Sequence, residues 1–232
     1  MNRRWSLDRL ATGGALAAWA ALFWTLLVTG RTSLYLSSRT AWLIPVGAVL
    51  TTVAAAGRLA TGRTHLPTSR KPPWGAGLLI LPVVLALVAP PTTLSSYAVG
   101  RRSSFGGAGI AATARAVAGS LDFVDVAAAR STRDALATLR RRSGERIFLE
   151  GFVTTQSNLG ADELLLTRFI VTCCVADATH AQVRVVGVPP GSFVTDDWVR
   201  VTGRVYALGA EVLVVAEEVQ AIPTPTSPYL TP

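Results

Sequence analysis

The hydrophobic and polar positions divide the chain into two regimes. Between residues 10 and 91 they form three long apolar runs with no acidic residue. From Ile147 onward they form short segments separated by turn residues. Leu10 to Val28 is nineteen residues long, close to the ~20 a helix needs to cross a bilayer. Ala41 to Ala56 is the second run, extendable to Ala60 if Arg58 reaches the interface along its alkyl stem. Trp74 to Ala89 is the third, closed by Pro90-Pro91. In the later regime, Val199, Val201, Gly203 and Val205 alternate with Arg200, Thr202 and Arg204, the period-two signature of a half-buried strand.

The first run is preceded by Arg3, Arg4 and Arg9, as in a secretory leader. However, it exceeds the ~7–15 apolar residues of a leader core and ends without a small-x-small cleavage site, so a retained span is expected. Gly13, Ala17 and Ala21 give it a small-residue stripe that would admit a neighbouring helix. Trp5, Trp42 and Trp74 stand where an aromatic belt would lie. No acid, lysine or histidine falls inside the three apolar cores, whereas ion and proton pathways normally need one. The chain is therefore not expected to conduct by itself.

Charge sharpens this division. Residues 1–146 carry eighteen basic and five acidic side chains, and residues 147–232 carry four and nine. The formal charge of +8 thus belongs to the membrane-proximal part and not to a nucleic-acid-binding face on a folded domain. Seven arginines and lysines lie in the N-terminus and second loop, against four in the first loop and just after the third run. The positive-inside rule then puts the N-terminus in the cytoplasm and the C-terminal domain outside.

Thr92 to Gly109 is rich in Ser, Thr and Gly and reads as exposed linker. Ser131-Thr132-Arg133-Asp134 has the form of a capping box opening a short helix, with Leu136 and Leu139 on one edge. Arg140, Arg141 and Arg142 fall in its last turn, before Gly144. A solvated helix end is favoured over a phosphate site for this triplet.

Five strands are expected, at Ile147–Thr154, Glu163–Val171, Ala181–Val186, Trp198–Tyr206 and Glu211–Ala216, with Gly151 marking a bulge or bend in the first. Five short strands in this length suit a small closed barrel of the OB type, with an open sandwich as the alternative. The predicted organisation is a transmembrane region over 1–91 (three helices, near 10–28, 41–60 and 74–90) and a linker over 92–146 with a helix near 131–143. An OB-like all-β domain over 147–222 and a proline-rich tail over 223–232 complete it.

Both cysteines are adjacent, in Arg168-Phe169-Ile170-Val171-Thr172-Cys173-Cys174-Val175-Ala176-Asp177-Ala178. If the strand continues through them, one thiol enters the core and the other faces out, as a small hydrophobe beside a semi-exposed neighbour. A second reading is a soft-metal site with Asp177 and His180 completing the set, although zinc patterns usually space their cysteines by two to four residues. A third is a strained, easily reduced vicinal disulfide. A Cys-His-Asp hydrolytic centre finds little support, since three reactive groups in one strand-turn do not readily converge. No phosphate-binding loop or dinucleotide fingerprint is present, and no enzyme activity is expected.

Arg168-Phe169, the Cys173-Cys174-Val175-Ala176-Asp177-Ala178 run, Trp198-Val199-x-Val201-x-Gly203, Gly151-Phe152-Val153, Pro90-Pro91, and Pro225, Pro228 and Tyr229 in the tail together resemble the YcgQ-like permease-subunit family. This is an uncharacterised bacterial family with a domain of unknown function behind membrane spans. The resemblance implies that Arg168, Phe169, Cys173, Cys174, Ala176, Asp177, Trp198 and Gly203 are motif residues. It also implies a larger permease-like membrane protein as partner, but no substrate. The leading expectation is a membrane-anchored accessory subunit whose outer domain contacts the permease or its cargo. The alternative is a soft-metal or redox sensor or binder acting through Cys173 and Cys174 without a permease.

Overall fold

A computed structural model describes residues 7–60, 74–88, 92–104, 121–130, 132–209 and 211–231. They fall into two compact units, Met1–Thr92 and Thr93–Pro232.

In the first unit, helices α1 (Leu7–Val28), α2 (Leu43–Ala60) and α3 (Trp74–Val88) follow the three apolar runs. Two of them contain eighteen-residue stretches long and apolar enough to cross a membrane, Ala11–Val28 and Leu43–Ala60. α3 has fifteen residues, about 22 Å at the helical rise and short of a ~30 Å hydrocarbon core. α1 packs against both neighbours, but not along the expected stripe. Gly13 is buried beside Leu59, whereas Ala17 and Ala21 are exposed. The covered small residues are instead Ala15 and Ala20 on α1 and Ala48 and Ala55 on α2. Gly47 lets α2 approach the Phe23 ring, where a Cβ would stand 3.2 Å from it. Two indoles add polar ties between helices, Trp19 Nε1 donating to the Leu79 carbonyl (2.9 Å) and Trp24 Nε1 to Thr52 Oγ1 (3.2 Å). The other faces stay apolar and uncovered, with Val46, Val49, Leu50 and Val53 on α2 and Leu78, Leu81, Leu85 and Val88 on α3 all exposed. Trp42 is exposed at the start of α2, while Trp5, Pro90 and Pro91 lie outside the described residues.

The second unit is built on strands β1 (Arg146–Thr154), β2 (Glu163–Ile170), β3 (Thr179–Val186), β4 (Trp198–Leu208) and β5 (Glu211–Ala221). They form one sheet that closes on itself in the order β1-β2-β3-β5-β4. All pairs are antiparallel except β3 with β5. β1 changes partner partway along, pairing with β4 over Arg146–Phe152 and with β2 over Phe152–Thr154. Gly151 sits at that change because a Cβ there would stand 2.6 Å from the Thr167 carbonyl oxygen. Gly203 is required in the same way, since the Val215 carbonyl oxygen occupies the space of its missing Cβ beside the bulge at Thr202/Gly203.

The main core comprises the inward valines and leucines, among them Leu149, Leu166, Val183, Val201 and Val214, closed by two short helices. α5 (Phe123–Ala129) is buried along its whole length and opens with a reciprocal capping box between Asp122 and Asp125. α6 (Arg133–Arg141) buries Ala135, Thr138 and Leu139. The box expected at Ser131 concerns a residue outside those described. The helix starts from Thr132, whose side chain makes no cap bond and donates back to the Ala128 carbonyl instead. The arginine triplet at its end is engaged within the protein: Arg140 donates to the Gly209 carbonyl, Arg141 to Thr138 and Arg142 to Glu145.

A second apolar cluster holds Phe152, Phe169, Val171, Ala178 and Trp198. The Phe152 ring stacks on Phe169 at 5.7 Å and tilts against Trp198 at 5.8 Å. Leu94, Ala98 and Val99 cover this cluster from one side, the last two in the one-turn helix α4 (Ser96–Val99), and Ile222 and Tyr229 of the tail cover it from another. The segment expected as exposed linker is thus packed against the sheet over residues 93–104. The Leu94 amide donates to the Tyr229 hydroxyl (3.2 Å), and the Ser96 amide and hydroxyl donate to the Asp196 carboxylate at 2.6 and 2.9 Å.

Candidate functional site

Strand β2 ends at Ile170, one residue before the end expected from the apolar pattern. The Val171 amide donates to the Leu230 carbonyl of the tail, and the chain then turns. The next three amides converge on one side chain. Thr172 N–H donates to Asp177 Oδ1 (2.9 Å), and those of Cys173 and Cys174 donate to Asp177 Oδ2 (2.7 and 3.1 Å). Val175–Asp177 form a single 3₁₀ turn. The spacing of Asp177 three to five residues after these amides is what a capping carboxylate needs.

This turn corrects the expectation of one thiol in the core and one outside. Strand alternation has ceased by Cys173, so neither thiol enters the core; Cys173 is exposed and Cys174 half-buried. A thiol sulfur from each cysteine and a carboxylate oxygen of Asp177 lie within 4.8 Å of one another. The Cys173 thiol is held above its ordinary value by desolvation first, then by the nearby Cys174 and Asp177. Without a cation it is therefore a protonated thiol at neutral pH.

His180 does not belong to this cluster. It lies on β3, opposite Phe169, and its amide donates to the Ser103 carbonyl (3.1 Å). Burial lowers its pKa below 6.5, partly opposed by a hydrogen bond to the Arg102 carbonyl, and its Nδ1 is buried without a hydrogen-bond partner. The four-residue set Cys-Cys-x2-Asp-x2-His is thereby reduced to three. The ring has been carried onto the sheet by the strand that starts at Thr179.

Arg102 is the residue that the sequence reading missed. Its NH1 group donates to the carbonyls of Val175 (2.8 Å), Ala176 and Ala178 (both 3.3 Å), holding the thiol turn from outside. Its only sequence signal is a position in a Ser/Gly-rich segment, which points to solvent.

The remaining motif residues serve the scaffold. Arg168 is buried, with NH2 donating to the Ser227 carbonyl (2.8 Å), Nε to Pro228 (3.3 Å) and NH1 to Glu150 (3.1 Å). Its guanidinium stands 5.6 Å from the centre of the Trp198 ring. Desolvation lowers its pKa, offset by the Glu150 carboxylate. Phe169 and Trp198 form the aromatic cluster, and Gly203 admits the β5 backbone. Ala176 contributes its carbonyl to Arg102. The four arginines of residues 147–232 (Arg168, Arg184, Arg200 and Arg204) all face glutamates.

Residues 136–232 match a family model described as the DUF1980 C-terminal domain, and this part of the chain is similar to that uncharacterised domain family. No curated protein matches. Among solved structures, one described as an OBody bound to hen egg-white lysozyme is 17% identical, with a TM-score of 0.26 over 37% of this chain and 86% of that one.

Proposed function

We propose that the chain is a membrane-anchored accessory subunit of a permease-like system, its β unit exposed on the outer side of a bacterial cell membrane. The observation that carries this reading is the uncovered apolar surface of α2 and α3. Val46, Val49, Leu50 and Val53 recur at helical spacing on one face of α2, and Leu78, Leu81, Leu85 and Val88 do so on α3. Water-soluble monomers rarely leave so much contiguous apolar surface bare, and lipid or the helices of a partner would cover it. The third apolar segment, α3, completes the anchor beside them.

The β unit supports the second half of the reading. Its strand order, its parallel β3–β5 pair and its covering helices suit an OB-type barrel, a scaffold that presents function on loops and one sheet face. The match at residues 136–232 places this unit beside an uncharacterised domain family, and the permease partner rests on the motif resemblance alone. The subunit contributes binding and not catalysis, and it acts with a larger membrane protein.

Affinity purification from mild detergent at native expression tests this. Co-elution of a large multi-span membrane protein is the expected result, and recovery as a lone monomer would overturn the proposal. A maleimide that cannot enter cells checks orientation: Cys173 should be labelled in intact cells, and labelling only after lysis would reverse the assigned sidedness.

A further inference from the structure

We propose that the turn from Thr172 to Asp177 is a binding site for a thiophilic divalent cation of the zinc class, held by Cys173 Sγ, Cys174 Sγ and one Asp177 carboxylate oxygen. This inference stands on the geometry of the turn and does not require the permease reading. The three donor atoms already lie within 4.8 Å of one another, close enough for one ion to contact all three after small side-chain rotations. Adjacent cysteines meet this condition only where the chain leaves the strand, and here the pairing stops at Ile170.

The carboxylate has capacity left. An ionised carboxylate offers about four lone-pair sites. The amides of Thr172, Cys173 and Cys174 use three, two of them on Oδ2, which leaves Oδ1 a free site. The same three bonds fix the turn before any ion arrives, and Arg102 holds its carbonyls from the other side. The turn is thus preorganised at backbone level, while the donors themselves stay at the surface.

Donor chemistry narrows the ion. Two thiolates exclude the hard cations, and the carboxylate oxygen disfavours copper(I), which prefers sulfur alone; a mixed sulfur–oxygen set suits zinc or cadmium. Three protein donors leave one tetrahedral position open, as in sites where the ion exchanges ligands and unlike closed structural sites. Binding replaces two S–H bonds by two metal–sulfur bonds and releases two protons to solvent, so uptake weakens as pH falls.

The test uses the full chain in detergent, reduced, with cadmium and zinc as probes. We expect one cadmium ion per chain after gel filtration, with cadmium–thiolate charge-transfer absorption, and displacement of that signal by zinc. Cys173→Ser and Cys174→Ser should each abolish both signals. Neither thiol lies in the core, so both variants should keep the wild-type circular dichroism. Asp177→Asn, which removes one of the three donors, should weaken binding of both ions relative to the wild type. His180→Ala should bind as wild type does. No cadmium uptake by the wild type, uptake without the thiolate band, unchanged binding in the cysteine variants, or loss of binding on His180→Ala would each overturn the assignment.

Discussion

At the scale of single residues, the unit is tied together by side chains that bond to backbone groups far away in sequence. Arg168 holds the carbonyls of Ser227 and Pro228 while anchored beneath them in β2. Replacing it by methionine keeps much of its bulk but removes the donors to those carbonyls, while Glu150 keeps its ion pair with Arg200. Arg168→Met is expected to lower the unfolding free energy by about 2–3 kcal/mol in denaturant titrations and to expose the tail to limited proteolysis first. His180 gives a pH-dependent counterpart. Its folded pKa lies below 6.5, so the unfolded chain takes up this proton at a higher pH than the folded one. Its contribution is fully present above pH 6.5 and is lost as pH falls from there through the lowered value. Melting temperatures measured across that window should fall less steeply in His180→Gln than in the wild type. These roles were only half legible in the sequence. The motif residues stood out by type and spacing, but Arg102 did not, because its partners lie more than 70 positions away.

At the scale of elements, the strands were the legible part, because alternating valines and turn residues report local geometry. β5 is the exception, running to Ala221 where the apolar pattern stops near Ala216. Glu217 and Glu218 interrupt the pattern, yet the pairing with β4 continues, Glu218 opposite Thr202 and Ala216 opposite Gly203, with Glu217 as the extra residue of the bulge. Glu217 accepts from Arg204 and Arg146, which gives those charges partners on the outer face. The two close glycine approaches should be intolerant of even one methyl group. Gly151→Ala and Gly203→Ala are each expected to cost about 1–3 kcal/mol, read from the denaturation midpoint at unchanged slope. Trp198→Ala, which empties the aromatic cluster, should cost about 3–5 kcal/mol.

At the scale of the whole molecule, the sequence showed where apolar helices give way to a β region, but it misread where the β unit begins. Residues 93–104 look like linker because a half-covered strap needs few large hydrophobes; Leu94, Ala98 and Val99 suffice. A fragment starting at residue 93 should therefore be more stable than one starting at residue 121. The shorter fragment should also bind a hydrophobic dye over its uncovered Phe152, Phe169 and Trp198. Comparing the two melting curves and dye signals checks this; equal values would show that the strap contributes nothing. The ring of five strands has a further implication for recognition. With each strand hydrogen-bonded to a neighbour on both sides over at least part of its length, no strand offers an edge open from end to end along which an incoming peptide could extend the ladder. Recognition on this module therefore falls mainly to side chains and turns, and the most chemically distinctive of those turns carries Cys173 and Cys174.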